Sequence, residues 1–443
     1  QADGDVIHAI IRSGGLGNDG RKGNLLAPSA TGQERALRQA YEAAGIAPHA
    51  VGYAECHATG TRLGDRTELD TLAAVHTNRT TPLVVSSTKG QIGHTITVAG
   101  LAGLIRAAGA VRDGFMPPTP GCEQPWPDHA DTLTPLSTAR AWTDDQRIAA
   151  VSAFGFGGTN AHVLVANPPS PEHVDAPTAP TCRTDVVGIG ARFGSAETTR
   201  SSLQQLREAS TASAPADIRR GTPLPDGVYM PSVRIDPVSR RVPPSEAAQV
   251  LPQQWAMLEA AADALSDADI DRSRTASIIG MTVDPQIAEH TLRWCTAHPD
   301  AVSPPLTSAR VQGVLPNLVA NRIAATFDLQ GPSYTVSSGA DSLHTAIAHA
   351  ERLLATGVVD AVLVGAVDLP GHVANRPTEA VCEAAIALLL VADADAPPQP
   401  PAAAQQDQVA RRGARLAGLG QLTLQHAALQ QLVGNRRQPG RDL

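Results

Sequence analysis

The sequence predicts an α/β fold built on a layered sheet. Short apolar runs that read as buried strands alternate with longer stretches of helical periodicity, and glycine-containing turns separate them. At 443 residues the chain has room for two to three domains with a sizeable core.

Val6–Ile11 is the first expected strand, followed by a Gly/Asn/Asp-rich loop over 13–23. Thr31 caps a helix whose apolar positions Ala36, Leu37, Ala40, Tyr41 and Ala44 keep helical spacing, with Gly45 near its end. Strand 51–54, helix 66–75 and strand 83–85 come next, and the spacing predicts a long helix over 95–111. Gly100 and Gly103 lie inside that helix, where each glycine costs about 1 kcal/mol against alanine, so a close packing partner is implied. A Pro-rich irregular stretch spans 116–126, and strands 148–154 and 162–165 flank a glycine loop.

Residues 168–184 form a linker of Pro, Ala, Ser and Thr. A fresh strand then runs from Asp185 into a glycine turn at Gly194; the spacing is not GxGxxG, so a tight strand exit is preferred to a nucleotide loop. Helix 252–265, strand 276–281 and helix 317–327 follow, then a strand to Val336, a helix over 342–355 stopped by Gly357, and strand 358–368. Residues 396–408 are low-complexity Pro/Ala/Gln, and 414–432 carry a weak helical pattern.

The net charge of −8 and a pI near 6.0 argue against nucleic acid as the main partner. Cys56, Cys122, Cys182, Cys295 and Cys382 contain no CxxC pair, which fits a reducing cytoplasm better than a disulfide framework or a zinc site. No signal peptide opens the chain, and 95–111 is short and interrupted by Arg106, so no membrane span is expected. A first residue of Gln1 rather than Met, with a strand almost at once, looks like a cut through a longer polypeptide.

Three blocks carry the chemistry: 55–68 (ECHATGTRLGDRTE), 89–94 (KGQIGH) and 154–160 (FGFGGTN). The first two follow strand ends, and each places one histidine in a glycine-containing turn. Two histidines, a lysine, paired carboxylates and a glycine-rich loop can bind a thioester carbonyl and stabilise an enolate. Cys56 beside His57 does not make a Cys/His hydrolase, because neighbours on an extended strand point to opposite faces.

These motifs, in this order, resemble the C-terminal half of a β-ketoacyl synthase of the polyketide and fatty acid synthase type over residues 1–167: His57 in H-x-T-G-T, Gly64-Asp65 with Glu68, Lys89 with His94, and GFGGTNAH over 155–162. Ala58 stands where the family usually has glycine, and Gln91 where asparagine is usual. Residues 185–395 resemble the N-terminal half of a second, related domain, through Pro252-Gln253-Gln254, Ala320-Asn321-Arg322-Ile323 and Gly331-Pro332-Ser333, and its segments Pro243-Pro244-Ser245-Glu246 and 315–322 resemble a chain-length-factor domain. The family's nucleophilic cysteine falls on Ala340, in an elbow Ser337-Ser338-Gly339-Ala340-Asp341. Residues 396–443 hold a low-complexity segment and a degenerate tail.

The resemblance implies a thiolase-like, layered α-β-α-β-α fold present as two half-domains. It implies decarboxylative Claisen condensation of acyl and malonyl thioesters on an acyl carrier protein. His57 and His94 would bind the malonyl thioester, and Lys89 would pair with Glu68 and orient the site, with Asp65 in support. A plain structural salt bridge is the competing reading of that pair. Phe156, with Gly157 and Gly158, would supply the oxyanion amide and gate the acyl pocket. Thr59, Thr61, Thr159 and Asn160 would bind the phosphopantetheine arm, or the first two would simply brace their turn. No cofactor is bound directly and no metal is expected. Expected partners are the acyl carrier protein, other synthase domains and, in the full enzyme, a second copy in a homodimer or a pseudo-dimer. Without a cysteine at 340 the chain is not expected to condense acyl groups alone, and acyl labelling of a cysteine would overturn that. A pseudoenzyme that scaffolds a partner is the non-catalytic alternative; a degradative thiolase is disfavoured by the H-x-T-G-T turn. The two halves are complementary, which raises the possibility that they dock on each other.

Overall fold

A computed structural model describes residues 6–22, 24–123, 128–168, 182–207, 227–230, 233–282, 307–369 and 381–393. Cys295, most of the 168–184 linker, and the segments at 396–408 and 414–432 lie outside the described residues. The chain divides into two compact units. One comprises Gln1–Ala176 with Ile270–Ser277 and Asn317–Tyr334; the other comprises Pro177–Asp269, Ile278–Pro316 and Thr335–Leu443.

The first unit holds strands β1 (Ile10–Asn18), β2 (Tyr53–Glu55), β3 (Leu83–Ser86), β4 (Phe115–Met116), β5 (Leu133–Pro135), β6 (Arg140–Ala141), β7 (Ile148–Phe154) and β8 (Thr159–Ala166). Six of them form a sheet in the order β1-β8-β7-β2-β3-β5, and β4 pairs with β6 separately. β2 runs parallel to both β3 and β7, and β3 parallel to β5, whereas β8 returns antiparallel to β7 and to β1. The helices are α1 (Ala30–Ala44), α2 (Arg62–Val75), α3 (Lys89–Ile92) and α4 (Ala99–Asp113).

Strand periodicity explains the layering. Ala54, Cys56, Val85, Ala150 and Leu164 face one way, into a core with Leu37 and Tyr41 of α1 and Leu72 and Val75 of α2. Their neighbours Tyr53, Val84, Ala149, Val151 and Val165 face the other way, against Ala107, Ala110 and Val111 of α4. A fully buried side chain such as Leu37 or Leu83 contributes roughly 1.5–3 kcal/mol, so both faces hold the sheet rigid beneath its loops.

Three expectations shift. The first strand is not 6–11 but Ile10–Asn18, and it consumes much of the expected loop. Residues 13–18 pair in register with 159–164 of β8. The glycines that read as loop are there for packing: a Cβ on Gly15 would meet the Ala36 carbonyl oxygen of α1 at 1.9 Å. The single helix over 95–111 is instead a 3₁₀ turn at Ile96–Val98 running into α4. Its interior glycines do have close partners: a Cβ on Gly100 would lie 3.2 Å from the Ala153 Cβ, and one on Gly103 3.0 Å from the Glu55 Cγ. The α1 cap is Ser29, whose side chain accepts from the Gly32 N–H, rather than Thr31.

The second sheet comprises β9 (Thr184–Phe193), β11 (Thr275–Met281), β12 (Ser333–Val336), β13 (Ala361–Asp368) and β15 (Ala384–Ala392), in the order β12-β11-β13-β15-β9. The short strands β10 (Gly227–Val228) and β14 (Val381–Cys382) pair apart from it. The glycines of β9 admit the helix Pro252–Ala264: a Cβ on Gly188 or Gly190 would reach the carbonyl oxygens of Ala264 or Ala260 at 2.0 and 1.7 Å. The sequence predicts a tight strand exit there; Gly194, at φ +57°, follows the end of β9, while Gly188 and Gly190 lie inside it. β7 and β12 lie in different sheets, so among the described residues no continuous sheet joins the halves. Residues 317–334 nevertheless belong to the first unit, where the Thr159 hydroxyl lies 2.8 Å from the Ser333 carbonyl oxygen.

Candidate active site

β2, β3 and β7 are mutually aligned, and their C-terminal ends open side by side. Each end carries one of the three motif blocks, at the position where α/β sheets place their sites.

From β2 the chain enters the 57–61 turn. Glu68 of α2 is 2 % exposed and receives the backbone N–H of His57 at 2.7 Å and of Ala58 at 2.8 Å. Asp65 receives the Gly60 N–H at 3.1 Å. The two carboxylates therefore pin the turn from the first turns of the following helix. Ala58 is held at φ +24° and Gly60 at φ +79°, so the family's glycine at 58 is the residue this backbone prefers. Burial raises the Glu68 carboxyl to about 7 despite those two hydrogen bonds and the Lys89 charge. Burial raises the Asp65 carboxyl as well, against the Gly60 and Thr59 amides.

The rings of His57 and His94 meet edge to face, centroids 5.6 Å apart. Phe154, at the end of β7, packs its ring 5.8 Å from His57. Burial, with the nearby Lys89 and His94, lowers His57 to about 4 and keeps it neutral. His94 is lowered as well, first by burial and then by Lys89. The Ile96 N–H donates to the His94 Nδ1 at 3.1 Å. Nδ1 is thereby an acceptor, and the ring proton sits on Nε2. The His57 Nδ1 is buried with no hydrogen-bond partner among the described residues.

Lys89 follows Thr88, just beyond β3. Burial lowers its pKa, and the charges of Glu68, Glu55 and Asp65 oppose that. No ion pair joins Lys89 to Glu68 among the described residues: the Glu68 oxygens are used by the turn amides, and the attraction acts through space. The direct pairing expected from the sequence is therefore replaced by a carboxylate clamp on His57.

The loop after β7 is built around glycine. Gly157 (φ +93°) and Gly158 (φ +89°) would drive a Cβ into Asn321 and Asp19 at 2.4 and 2.9 Å. Their N–H groups already donate to the Leu25 and Gly155 carbonyls, so neither is spare for an oxyanion. Phe156 is 56 % exposed, and its carbonyl is fixed by the Asn317 and Asn321 amides at 3.0 and 3.1 Å. Thr159 and Asn160 also depart from the expected arm-binding role. Asn160 is buried and donates to Asp19 at 2.7 Å, and the Thr159 hydroxyl lies 3.0 Å from the Asn321 Oδ1. Both brace the loop from beneath. The Thr59 and Thr61 hydroxyls lie 3.3 Å apart on the turn, with Thr61 exposed.

Cys56 lies on the opposite face from Tyr53, in the core shared by α1 and α2, and burial pushes its thiol well up. Ala340 sits in an exposed 3₁₀ turn (Gly339–Asp341) between β12 and the helix Ser342–Ala355. The Ser342 hydroxyl closes that elbow, receiving the Ser338 N–H at 2.9 Å and lying 2.7 Å from the Gly339 carbonyl oxygen. No metal-binding cluster and no helix long and apolar enough to cross a membrane occur among the described residues.

Sequence reasoning passed over a buried group beneath the site. Glu55, Arg106, Tyr53 and Ser86 form one hydrogen-bonded network. Its signal was present: an arginine inside an apolar helix needs a buried carboxylate partner.

The mixed α/β sheet, with its site at the ends of its parallel strands, is that of a thiolase-like ketosynthase fold. The model of the β-ketoacyl synthase C-terminal domain matches residues 8–123, and that of the β-ketoacyl synthase N-terminal domain matches residues 183–381. The chain thus belongs to the β-ketoacyl synthase family, with a ketosynthase C-terminal half preceding a chain-length-factor-like N-terminal half. It is similar to a polyunsaturated fatty acid synthase from Thraustochytrium sp., 29% identical over 422 residues, covering 84% of this chain and 20% of that protein. The highly reducing polyketide synthase otaA of Aspergillus carbonarius is 42% identical over 167 residues, covering 37% of this chain and 7% of that one. A solved structure titled PfaC keto synthase–chain length factor matches with a TM-score of 0.77 and 26% identity, over 89% of this chain and 49% of that one. The chain therefore spans one fifth of the first relative and about half of the solved chain.

Proposed function

We propose that this chain is part of an iterative or modular polyketide or fatty acid synthase and supplies the malonyl half of its condensing site. The chemistry is decarboxylative Claisen condensation. The bond between the malonyl α-carbon and its carboxylate breaks, carbon dioxide leaves, and the electron pair passes onto the thioester oxygen as an enolate. That enolate then attacks an acyl thioester held on a cysteine, and the thiolate departs. One observation carries the reading: two neutral imidazoles meet at 5.6 Å at the ends of parallel strands. Neutral N–H donors aimed at a developing oxyanion stabilise it without competing as acids.

The malonyl thioester arrives on the phosphopantetheine of a partner acyl carrier protein, with Thr59 and Thr61 on the exposed turn as the hydroxyls that meet the arm. Lys89 and Asp65 complete the polar site around His57 and His94, and the Phe156 ring gates it. Carbon dioxide loss needs no thiolate, but condensation does, and position 340 holds alanine. The two halves, residues 1–167 and 185–395, act within a larger homodimer or pseudo-dimer.

A second reading follows from Ala340, whose exposed elbow keeps its turn without a nucleophile. In that reading the second half is a chain-length-factor-type scaffold that shapes a partner's acyl tunnel. Adding a cysteine-bearing ketosynthase N-terminal half separates the two. Restored condensation that depends on His57 and His94 supports the enzyme reading. Stable binding with condensation indifferent to those histidines supports the scaffold.

A further inference from the structure

We propose that the buried Glu55 and the partly buried Arg106 are a positioning pair that fixes the Lys89 turn against His57 by locking the ends of β2 and β3 together. The proposal deepens the enolate-site reading above and rests on it.

Glu55 is the last residue of β2, 1 % exposed, and two residues before His57. Its carboxylate is fully engaged. Oε1 receives the Thr88 N–H at 2.6 Å, one residue before Lys89. Oε2 receives the Tyr53 hydroxyl at 2.6 Å and the Arg106 Nη1 at 2.9 Å. Arg106 reaches across to β3 as well, with Nη1 3.3 Å from the Ser86 Oγ, and its Nη2 donates to the Pro118 carbonyl. One ion pair thus touches the strand that delivers His57, the strand that delivers Lys89, and α4 above them.

Gly103 makes the pair possible, because a Cβ there would lie 3.0 Å from the Glu55 Cγ and hold α4 away. A buried ion pair is weak evidence for stability, since desolvating two charges offsets much of their attraction. What it supplies is registry: a carboxylate with fixed acceptor directions dictates where Thr88 sits. The Glu55 charge also acts on the Lys89 ammonium.

The test uses the full chain with Glu55→Gln, Arg106→Met, the double variant and the milder Arg106→Lys. Thermal unfolding first establishes folding. The readouts are the inter-ring nuclear Overhauser contact between His57 and His94 in histidine-labelled protein, and kcat and KM for carbon dioxide release from malonyl-pantetheine. The expected result is loss of the ring contact and a fall in kcat of at least about tenfold with little change in KM. The double variant should be no worse than the more impaired single, because both break one unit. Arg106→Lys keeps the charge but not the fork and shows the same direction at smaller size. A folded Glu55→Gln or Arg106→Lys that keeps both the ring contact and wild-type kcat overturns the proposal. If wild type releases no carbon dioxide, the enolate reading fails, and the ring contact alone decides whether the pair positions these residues.

Discussion

Glu68 receives the backbone N–H of Ala58 at 2.8 Å, and that hydrogen bond holds Ala58 at φ +24°. A side chain at such a backbone conformation is strained, and glycine is not. Ala58→Gly should therefore raise stability by about 1 kcal/mol, the relief of strain outweighing the extra entropy of the unfolded chain. Chemical denaturation reads it directly, and a lower midpoint would show that the turn is relaxed as it stands.

The glycine loop should behave oppositely. Gly157→Ala meets both a positive φ of +93° and the Asn321 amide at 2.4 Å. A loss of roughly 2 kcal/mol or more is expected, and with it the Asn317 and Asn321 grip on the Phe156 carbonyl. A variant with an unchanged melting temperature would mean that the loop shifts freely.

Stability should fall in mild acid. His76 and His162 are lowered to about 4 and about 3, mainly by burial, with the Arg79 charge also acting on His76 and His76 on His162. The Arg79 Nη1 lies 3.3 Å from the His76 Nδ1, and the Tyr41 hydroxyl lies 2.9 Å from the His76 Nε2. Below a pH of about 6.5 the unfolded chain takes up protons that the folded rings refuse. The stability present above that pH is therefore lost progressively as the pH falls toward 4, by about 3 kcal/mol for His76 alone. Melting temperature against pH measures this, and a flat curve between pH 7 and 4.5 would contradict it.

Much of the site was legible in the sequence because its parts sit in contiguous blocks. His57 and Glu68 are 11 residues apart in one block, and Lys89 and His94 share another, so residue type and spacing carried the information. The Glu55–Arg106 pair spans 51 residues, and each partner is hidden in an apolar run. Only the packing of α4 on the sheet brings them together. The strand β15 went unnoticed for a related reason: its Ala/Leu-rich sequence favours helix, and pairing with β13 and β9 overrides that preference. The β1 glycines misled in the same way, because their purpose lies in the approach of α1.

Position 340 offers a gain-of-function test. Ala340→Cys would place an exposed thiol in the turn entering the helix Ser342–Ala355, where the amide ends favour a thiolate. Labelling by a thiol-directed acyl analogue should be selective for residue 340 over the buried Cys56, whose thiol burial pushes up. Equal or slower labelling of residue 340 would mean that the elbow no longer activates a nucleophile.

The central claim is that His57 and His94 together hold the enolate left when a malonyl thioester loses its carboxylate. The most direct measurement is carbon dioxide release from malonyl-loaded acyl carrier protein by the wild-type chain, His57→Ala and His94→Ala. The account predicts release by wild type, and a rate about 10²–10³-fold lower in each folded variant, the cost of removing one oxyanion donor. Wild-type release no faster than buffer, or folded variants that match wild type, would contradict it.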